Sequence, residues 1–340
     1  MLFDNVSILS VTSVDATHRL SSEEIEERLS PTLSKLGVPK GTLEQLTGIK
    51  ARRVFDVDTM PSEGATMAAR QAIEESGVDP QKLGILINTS VCRDYVEPST
   101  ACLVHGNLGL GPNCMNFDVG NACLAFLNGM EIASNMIERG LIDYALIVDG
   151  ENSRFIIDTT IDRLNARAGE VTEQEYRDAF ATFTLGSGGA AMVLARRDLH
   201  PDAAQFRGGV SLAASEHSRL CYGQVDHMYT DTRALLKAGI MLAARTLAKA
   251  RKELGWTLED LNELVLHQVS KVHTEKLSQT LELDLAKIHA IFPEYGNVGP
   301  AAVPMVLATV TRNGRVNKGD RVALMGIGSG LNCAMAEVVW

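Results

Sequence analysis

No basic run occurs in the chain: 32 lysines and arginines stand against 42 acidic residues, for a net charge of -10. That balance leaves no footprint for nucleic acid, and an anionic substrate would need a local basic patch. No apolar stretch reaches the roughly 18 residues that span a bilayer, which excludes a transmembrane segment. The opening Met1-Leu2-Phe3-Asp4-Asn5 lacks the basic-then-apolar pattern of an export signal, so a cytoplasmic location is expected. The six cysteines, at 92, 102, 114, 123, 221 and 333, contain no Cys-x-x-Cys and no zinc-like spacing with histidine. Neither a disulfide framework nor a metal site is indicated, which leaves free thiols, one of them open to catalysis.

What is present is core. With 45% hydrophobic and 22% charged residues over 340 positions, the chain can build two domains or one large double unit. A first strand is expected over Val6 to Val11. Ser21-Ser22-Glu23-Glu24 reads as a capping box, from which Ile25, Leu29, Leu33 and Leu36 carry one helix to Gly37. Met67 to Glu75 is an Ala-rich helix, and Leu83 to Asn88 is an apolar run of the kind buried on both faces of a sheet.

This order of events returns. Met67-Ala68-Ala69-Arg70 and the strand Ile85 to Asn88 are echoed by Leu242-Ala243-Ala244-Arg245 and Leu264 to His267. Leu185 to Leu194 is likewise echoed by Gly326 to Ala336. Two copies of one α/β unit imply duplication with pseudo-twofold symmetry, a boundary near Arg196 to Pro201, halves 1–197 and 198–340, and a site between them. The charged, helix-like segment 151–183 has no counterpart in the second half. It reads as an insertion that shapes a channel or a subunit contact, or as a solvated decoration.

Met115 to Val119 is strand-like and runs into Gly120-Asn121-Ala122. From Leu124 onward apolar residues recur at helical spacing until Arg139-Gly140. Cys123 therefore sits where a strand turns into a helix, and the unpaired amides and positive dipole there favour a thiolate. His267 ends a buried strand, and Asn297 lies in the glycine-flanked loop Tyr295-Gly296-Asn297-Val298-Gly299-Pro300. Singly, each has a bland reading as a packed thiol, a hydrogen-bonded imidazole and a turn. Together they suggest a nucleophile, an acid/base or donor, and a second donor to an oxyanion. Gly326-x-Gly328-x-Gly330 resembles a dinucleotide fingerprint, but a strand follows where a helix is needed, so a glycine turn bringing amides toward Cys123 is expected instead.

Asn121-Ala122-Cys123, Leu266-His267-Gln268 and Gly296-Asn297-Val298-Gly299-Pro300, with Gly326-Ile327-Gly328-Ser329-Gly330 near the C-terminus, resemble the Cys-His-Asn set of the thiolase superfamily on its ketosynthase III branch. In detail, Asn88 to Ala101 and His267-Gln268-Val269-Ser270 are most similar to the condensing enzymes of bacterial long-chain olefin synthesis. The resemblance covers nearly the whole chain. It implies a five-layer αβαβα thiolase fold, a homodimer, no cofactor, and non-decarboxylative Claisen condensation of two fatty acyl-CoA molecules to a 2-alkyl-3-ketoacyl product for downstream olefin-forming enzymes.

It further implies that Cys123 carries the acyl group, that the amides of Cys123 and Ser329 face the thioester oxygen, and that Glu97 enters the partner's acyl channel as the base. The Trp and Arg that initiation ketosynthases carry before Thr-Gly-Ile are replaced here by Glu44-Gln45-Leu46, so their adenine clamp is not carried over. Arg52, Arg53 and Lys271 are then the candidate phosphate partners of CoA. The alternatives are a decarboxylating ketosynthase III using malonyl-thioester, and an idle acyl-binding member of the fold. Retention of Cys123, His267 and Asn297 counts against the latter, and Glu97 with the insertion counts against the former.

Overall fold

The computed structural model describes all 340 residues. In chain order the strands are β1 (Val6–Asp15), β2 (His18–Ser21), β3 (Ala51–Val54), β4 (Ile85–Asn88), β5 (Met115–Asp118), β6 (Tyr144–Glu151), β7 (Gly188–Arg196), β8 (Ala204–Ala213), β9 (Cys221–Gly223), β10 (Met228–Thr230), β11 (Glu263–Leu266), β12 (Arg321–Gly328) and β13 (Asn332–Val339). Nine of them form one sheet in the order β11-β12-β13-β8-β1-β7-β6-β4-β5. The β2-β3 and β9-β10 pairs are separate ribbons.

The order repeats itself about the middle. β4 runs parallel to β6, β6 antiparallel to β7, and β7 antiparallel to β1. β11 runs parallel to β12, β12 antiparallel to β13, and β13 antiparallel to β8. The two series touch through β1 and β8, which pair only at Ser7↔Gln205 and Ile8↔Ala204. So slight a seam lets the two series fold over one another as two layers.

Side-chain alternation along the strands assigns the layers, since successive residues of a strand point to opposite faces. Ile85, Ile87, Ala145 and Ile147 share a core with Val265, Val322 and Leu324 and with the helices Ala125–Glu138 and Ala302–Arg312. The intervening Leu86, Leu146 and Val148 face outward onto the helices Pro61–Ser76 and Thr100–Leu108. Leu264, Leu266, Ala323 and Met325 face outward on the other side, onto Thr232–Glu253 and Lys271–Leu281. Helix, sheet, helix, sheet, helix is the five-layer arrangement, with two buried helices at its centre.

Three local expectations differ from what forms. The helix from the Ser21–Glu24 capping box stops at Arg28, and a second helix, Ser30–Leu36, starts with Pro31 in its first turn, where a missing N–H costs nothing. The first strand continues past Val11 to Asp15 because β7 pairs along its length. β6 runs to Glu151, so the insertion begins at Asn152, and Glu151 is, like Asp149, a buried strand residue rather than the first charge of the insertion. The insertion is not a solvated decoration. Ile157, Ile161, Leu164, Tyr176 and Phe183 close a separate core with Ile25, Leu29, Leu33 and Leu43.

Candidate active site

Cys123 lies between β5 and the helix Ala125–Glu138, whose N-cap is Leu124. The reversal is made by Ala122 in the left-handed region, at φ 46°. Such a conformation costs an alanine on the order of 1 kcal/mol and persists because the surroundings hold it. Asn121 supplies part of that hold: its Nδ2 donates to Asn128 Oδ1 at 2.7 Å, and its Oδ1 accepts from Asn332 Nδ2 at 3.0 Å. The glycine turn does approach this corner. A β-carbon built on Gly328 would stand 3.3 Å from the Cys123 nitrogen and 3.3 Å from the Asn121 oxygen, and one on Gly326 would stand 2.6 Å from Leu124 Cδ2. Ser329 follows in the turn, and no backbone carbonyl takes the amide of Cys123 or of Ser329.

The expected thiolate is not the resting form. Burial, with smaller contributions from Cys221 and Glu151, pushes the Cys123 thiol up to about 12, against a usual value of 9.0. A fixed half-charge at a helix end is worth at most about 2 kcal/mol, less than the cost of desolvating a bare anion.

His267 extends β11 by one residue, its amide donating to the Met325 oxygen at 2.8 Å. The ring is buried, and desolvation followed by the neighbouring His273 lowers its pKa to about 3, partly offset by the nearby Gly299 backbone. The imidazole is therefore neutral at physiological pH and holds one N–H to donate.

Asn297 is fixed on both sides. Its amide donates to the Thr184 oxygen at 2.8 Å and its carbonyl accepts from Gly186 at 2.9 Å. Its Oδ1 accepts from the Gly299 amide at 3.0 Å, which commits the oxygen and leaves the Nδ2 hydrogens to point elsewhere. Gln268, given no role from sequence, locks the approach to this loop: Oε1 accepts from Ile291 and Phe292 at 2.8 and 3.1 Å, and Nε2 donates to the His289 oxygen at 2.6 Å.

Thus Cys123, Gly328, Gly326, His267, Gly299 and Asn297 form a chain of immediate neighbours drawn from both series of strands. The arrangement gathers side-chain donors and free amides about the Gly326–Gly328 turn that packs on Cys123, a donor set suited to stabilising charge on oxygen.

Glu97 is not in this cluster within one chain. It lies exposed on the loop between β4 and the helix Thr100–Leu108, unpaired with Arg93, which instead reaches Asp118 at 3.2 Å. Arg52 corrects an expectation. It is wholly buried on β3, donating to the Leu20 and Phe183 oxygens and to Ser22 Oγ, so it holds the insertion to the amino-terminal ribbon and has no surface to offer a phosphate. Arg53 is half-buried, and Lys271 is exposed at the start of the helix Lys271–Leu281, 3.8 Å from Glu275.

Residues 117–208 match the family model for 3-oxoacyl-[acyl-carrier-protein] synthase III, and residues 251–340 match the model for its C-terminal part. Over the whole of both chains, the protein is 53% identical to the acyl-CoA:acyl-CoA alkyltransferase of Xanthomonas campestris pv. campestris. The chain belongs to the acyl-CoA:acyl-CoA alkyltransferase family of the thiolase superfamily. A second family member, from Shewanella oneidensis, is 35% identical over all of this chain. A β-ketoacyl-[acyl-carrier-protein] synthase III from Desulfitobacterium hafniense is 29% identical over 86% of it.

Among solved alkyltransferase structures, the cerulenin-bound Xanthomonas campestris OleA superposes with a TM-score of 0.98 at 53% identity, covering 100% of this chain and 98% of that one. A cysteine-to-serine variant of that OleA, with bound lauric acid and lauroyl-CoA, superposes with a TM-score of 0.97 over 100% of both chains, at 52% identity. Other OleA structures carry replacements of a cysteine, a glutamate or a histidine. The thiolase fold expected from sequence is the fold observed.

Proposed function

We propose that the protein joins two fatty acyl-CoA molecules by a non-decarboxylative Claisen condensation. The Cys123 sulfur attacks the thioester carbon of the first acyl-CoA, the thiol proton leaves with CoA, and an acyl-Cys123 remains. The amides of Cys123 and Ser329 stabilise the oxyanion of that step. A base then removes a proton from carbon 2 of the second acyl-CoA, and Nε2–H of His267 and Nδ2–H of Asn297 donate to its enolate oxygen. The enolate carbon attacks the acyl-Cys123 carbonyl, the C–S bond breaks, and Cys123 regains a proton as the 2-alkyl-3-ketoacyl-CoA forms. The observation that carries this reading is the commitment of Asn297 Oδ1 to the Gly299 amide, which leaves the Nδ2 hydrogens as donors in the same cluster as a neutral His267.

The base in this reading is Glu97 acting across a homodimer. Edge strand β5 exposes Met115 and Phe117, 48% and 38% accessible, and the Glu97 loop exposes Tyr95 and Val96, the latter at 99%. An unpaired edge strand beside apolar side chains is the kind of surface a second copy covers. The halves 1–197 and 198–340 would each then contribute to one site, with the insertion at its rim. Arg53 and Lys271 remain as phosphate partners of CoA, no cofactor is required, and the product passes to olefin-forming enzymes in the cytoplasm. No helix is long and apolar enough to cross a membrane.

One assay tests the reading: protein incubated with tetradecanoyl-CoA, with and without malonyl-CoA, and products identified by mass spectrometry. Condensed product from acyl-CoA alone is expected. Strict dependence on malonyl-CoA would move the function to a decarboxylating synthase.

A further inference from the structure

We infer that Glu151 is a positioning residue for the condensation step, its buried carboxylate tying down the root of the loop that carries Glu97. The inference rests on the reading of Glu97 as the base. The β4-β6 ladder ends at Asn88↔Val148. Beyond it, residues 89–92 stay attached to residues 149–152 by a different set of bonds. Thr89 Oγ1 donates to Asp149 Oδ2 at 2.6 Å, and the Gly150 amide donates to Ser90 Oγ at 2.9 Å. The amides of Val91 and Cys92 donate to the two carboxylate oxygens of Glu151 at 2.6 and 3.1 Å, and Cys92 Sγ donates to the Asn152 oxygen at 3.4 Å.

The other root of the loop is held separately. Asp94 accepts from Ser62 Oγ at 2.6 Å, and Asp118 accepts from the amides of Thr100 and Ala101 at 3.1 and 2.8 Å. Between the anchors, Tyr95, Val96, Glu97 and Pro98 are exposed. A tip suspended between two fixed roots carries its side chain to a fixed place, and displacing one root moves Glu97. A misplacement of about 1 Å commonly costs on the order of a hundredfold in rate.

The chemistry of the anchor requires a carboxylate. Two amide donors arrive together, and only a carboxylate offers both oxygens as acceptors, whereas glutamine would turn an NH2 toward one of them. Glu151 is 5% exposed, so its carboxylate has little water to turn to in place of these amides. Burial raises both acids, Glu151 to about 6 and Asp149 well above its usual value, and the single proton of the pair rests on Asp149, which leaves Glu151 as the acceptor. The same carboxylate borders the Asn297 loop: its Oε1 would lie 3.7 Å from a β-carbon on Gly299.

Glu151→Gln in the full-length protein tests this, with Glu97→Gln in parallel. Acyl loading of Cys123, read by intact mass after a brief tetradecanoyl-CoA pulse, should stay within about twofold of wild type. Single-turnover condensation should fall roughly tenfold to a hundredfold. Deuterium exchange in peptides spanning 89–99 should speed up about tenfold or more as two charge-assisted hydrogen bonds are lost. Unchanged condensation, or loading that falls in the same proportion, overturns the inference. Glu151→Asp retains the charge and both oxygens one methylene short. It should show the same split with a smaller loss, and equal losses in both steps overturn the inference there too. If Glu97→Gln is inactive while Glu151→Gln condenses normally, the positioning role alone falls. If Glu97→Gln condenses normally, the base assignment falls, and a condensation defect in Glu151→Gln then excludes a route through Glu97.

Discussion

Gly328 packs against Cys123 so closely that a β-carbon on the glycine would meet the cysteine's amide nitrogen at 3.3 Å. β12 belongs to one series of strands and Cys123 to the other, so this contact is where the repeated halves meet at the thiol. Gly328→Val should crowd the Cys123 amide out of place and slow acyl loading by about tenfold or more. Stopped-flow release of CoA measures it, and a wild-type burst would show that the corner tolerates the side chain.

The resting thiol should be sluggish toward alkylation. With a pKa raised to about 12, Cys123 is neutral below that value, so its rate with iodoacetamide should rise about tenfold per pH unit between pH 7 and pH 9. Peptide mass spectrometry resolves Cys123 from the exposed Cys102. A rate already level at pH 7 would place the thiolate in the free enzyme.

Asn297→Ala should load acyl groups onto Cys123 normally yet condense them about a hundredfold more slowly, because the donor is needed when charge develops on the enolate oxygen. Product yield per acylated enzyme is the measurement. Equal yields would remove Asn297 from the oxyanion site.

His267, with its pKa lowered to about 3, is neutral throughout the working range. The pH profile of condensation should therefore show no ionisation of His267 between pH 5 and pH 8, and His267→Asn should lower the profile without changing its shape. Disappearance of an inflection near pH 6.5 in that variant would show that the imidazole titrates during turnover.

Glu151 also affects stability. An acid whose folded pKa is raised is stabilised fully below its usual value of 4.5 and loses that stabilisation as pH rises through about 6. The melting temperature of Glu151→Gln minus that of wild type should accordingly increase between pH 4.5 and pH 7. A constant difference would mean that Glu151 ionises as easily folded as unfolded.

Much of this protein was written locally. The repeat of Met67–Arg70 and Leu83–Asn88 in Leu242–Arg245 and Leu264–His267 announces the duplicated architecture because burial on both faces of a strand demands a continuous apolar run wherever it occurs. Asn121-Ala122-Cys123 at a strand-to-helix corner and Asn297 between glycines are likewise visible, since tight turns select their own residues. The protonation of Cys123 and the burial of Arg52 were not. Both depend on how much protein surrounds a side chain, and residues more than 100 positions away, Phe183 for Arg52 and Gly328 for Cys123, supply that enclosure. Glu151 reads as the charged start of an insertion, and Asp149 carries no reading at all, because sequence gives no sign of a buried acceptor's partners. Only when β4 and β6 lie side by side do Thr89, Val91 and Cys92 arrive to donate to them, and a carboxylate inside a protein is tolerated only where such donors converge.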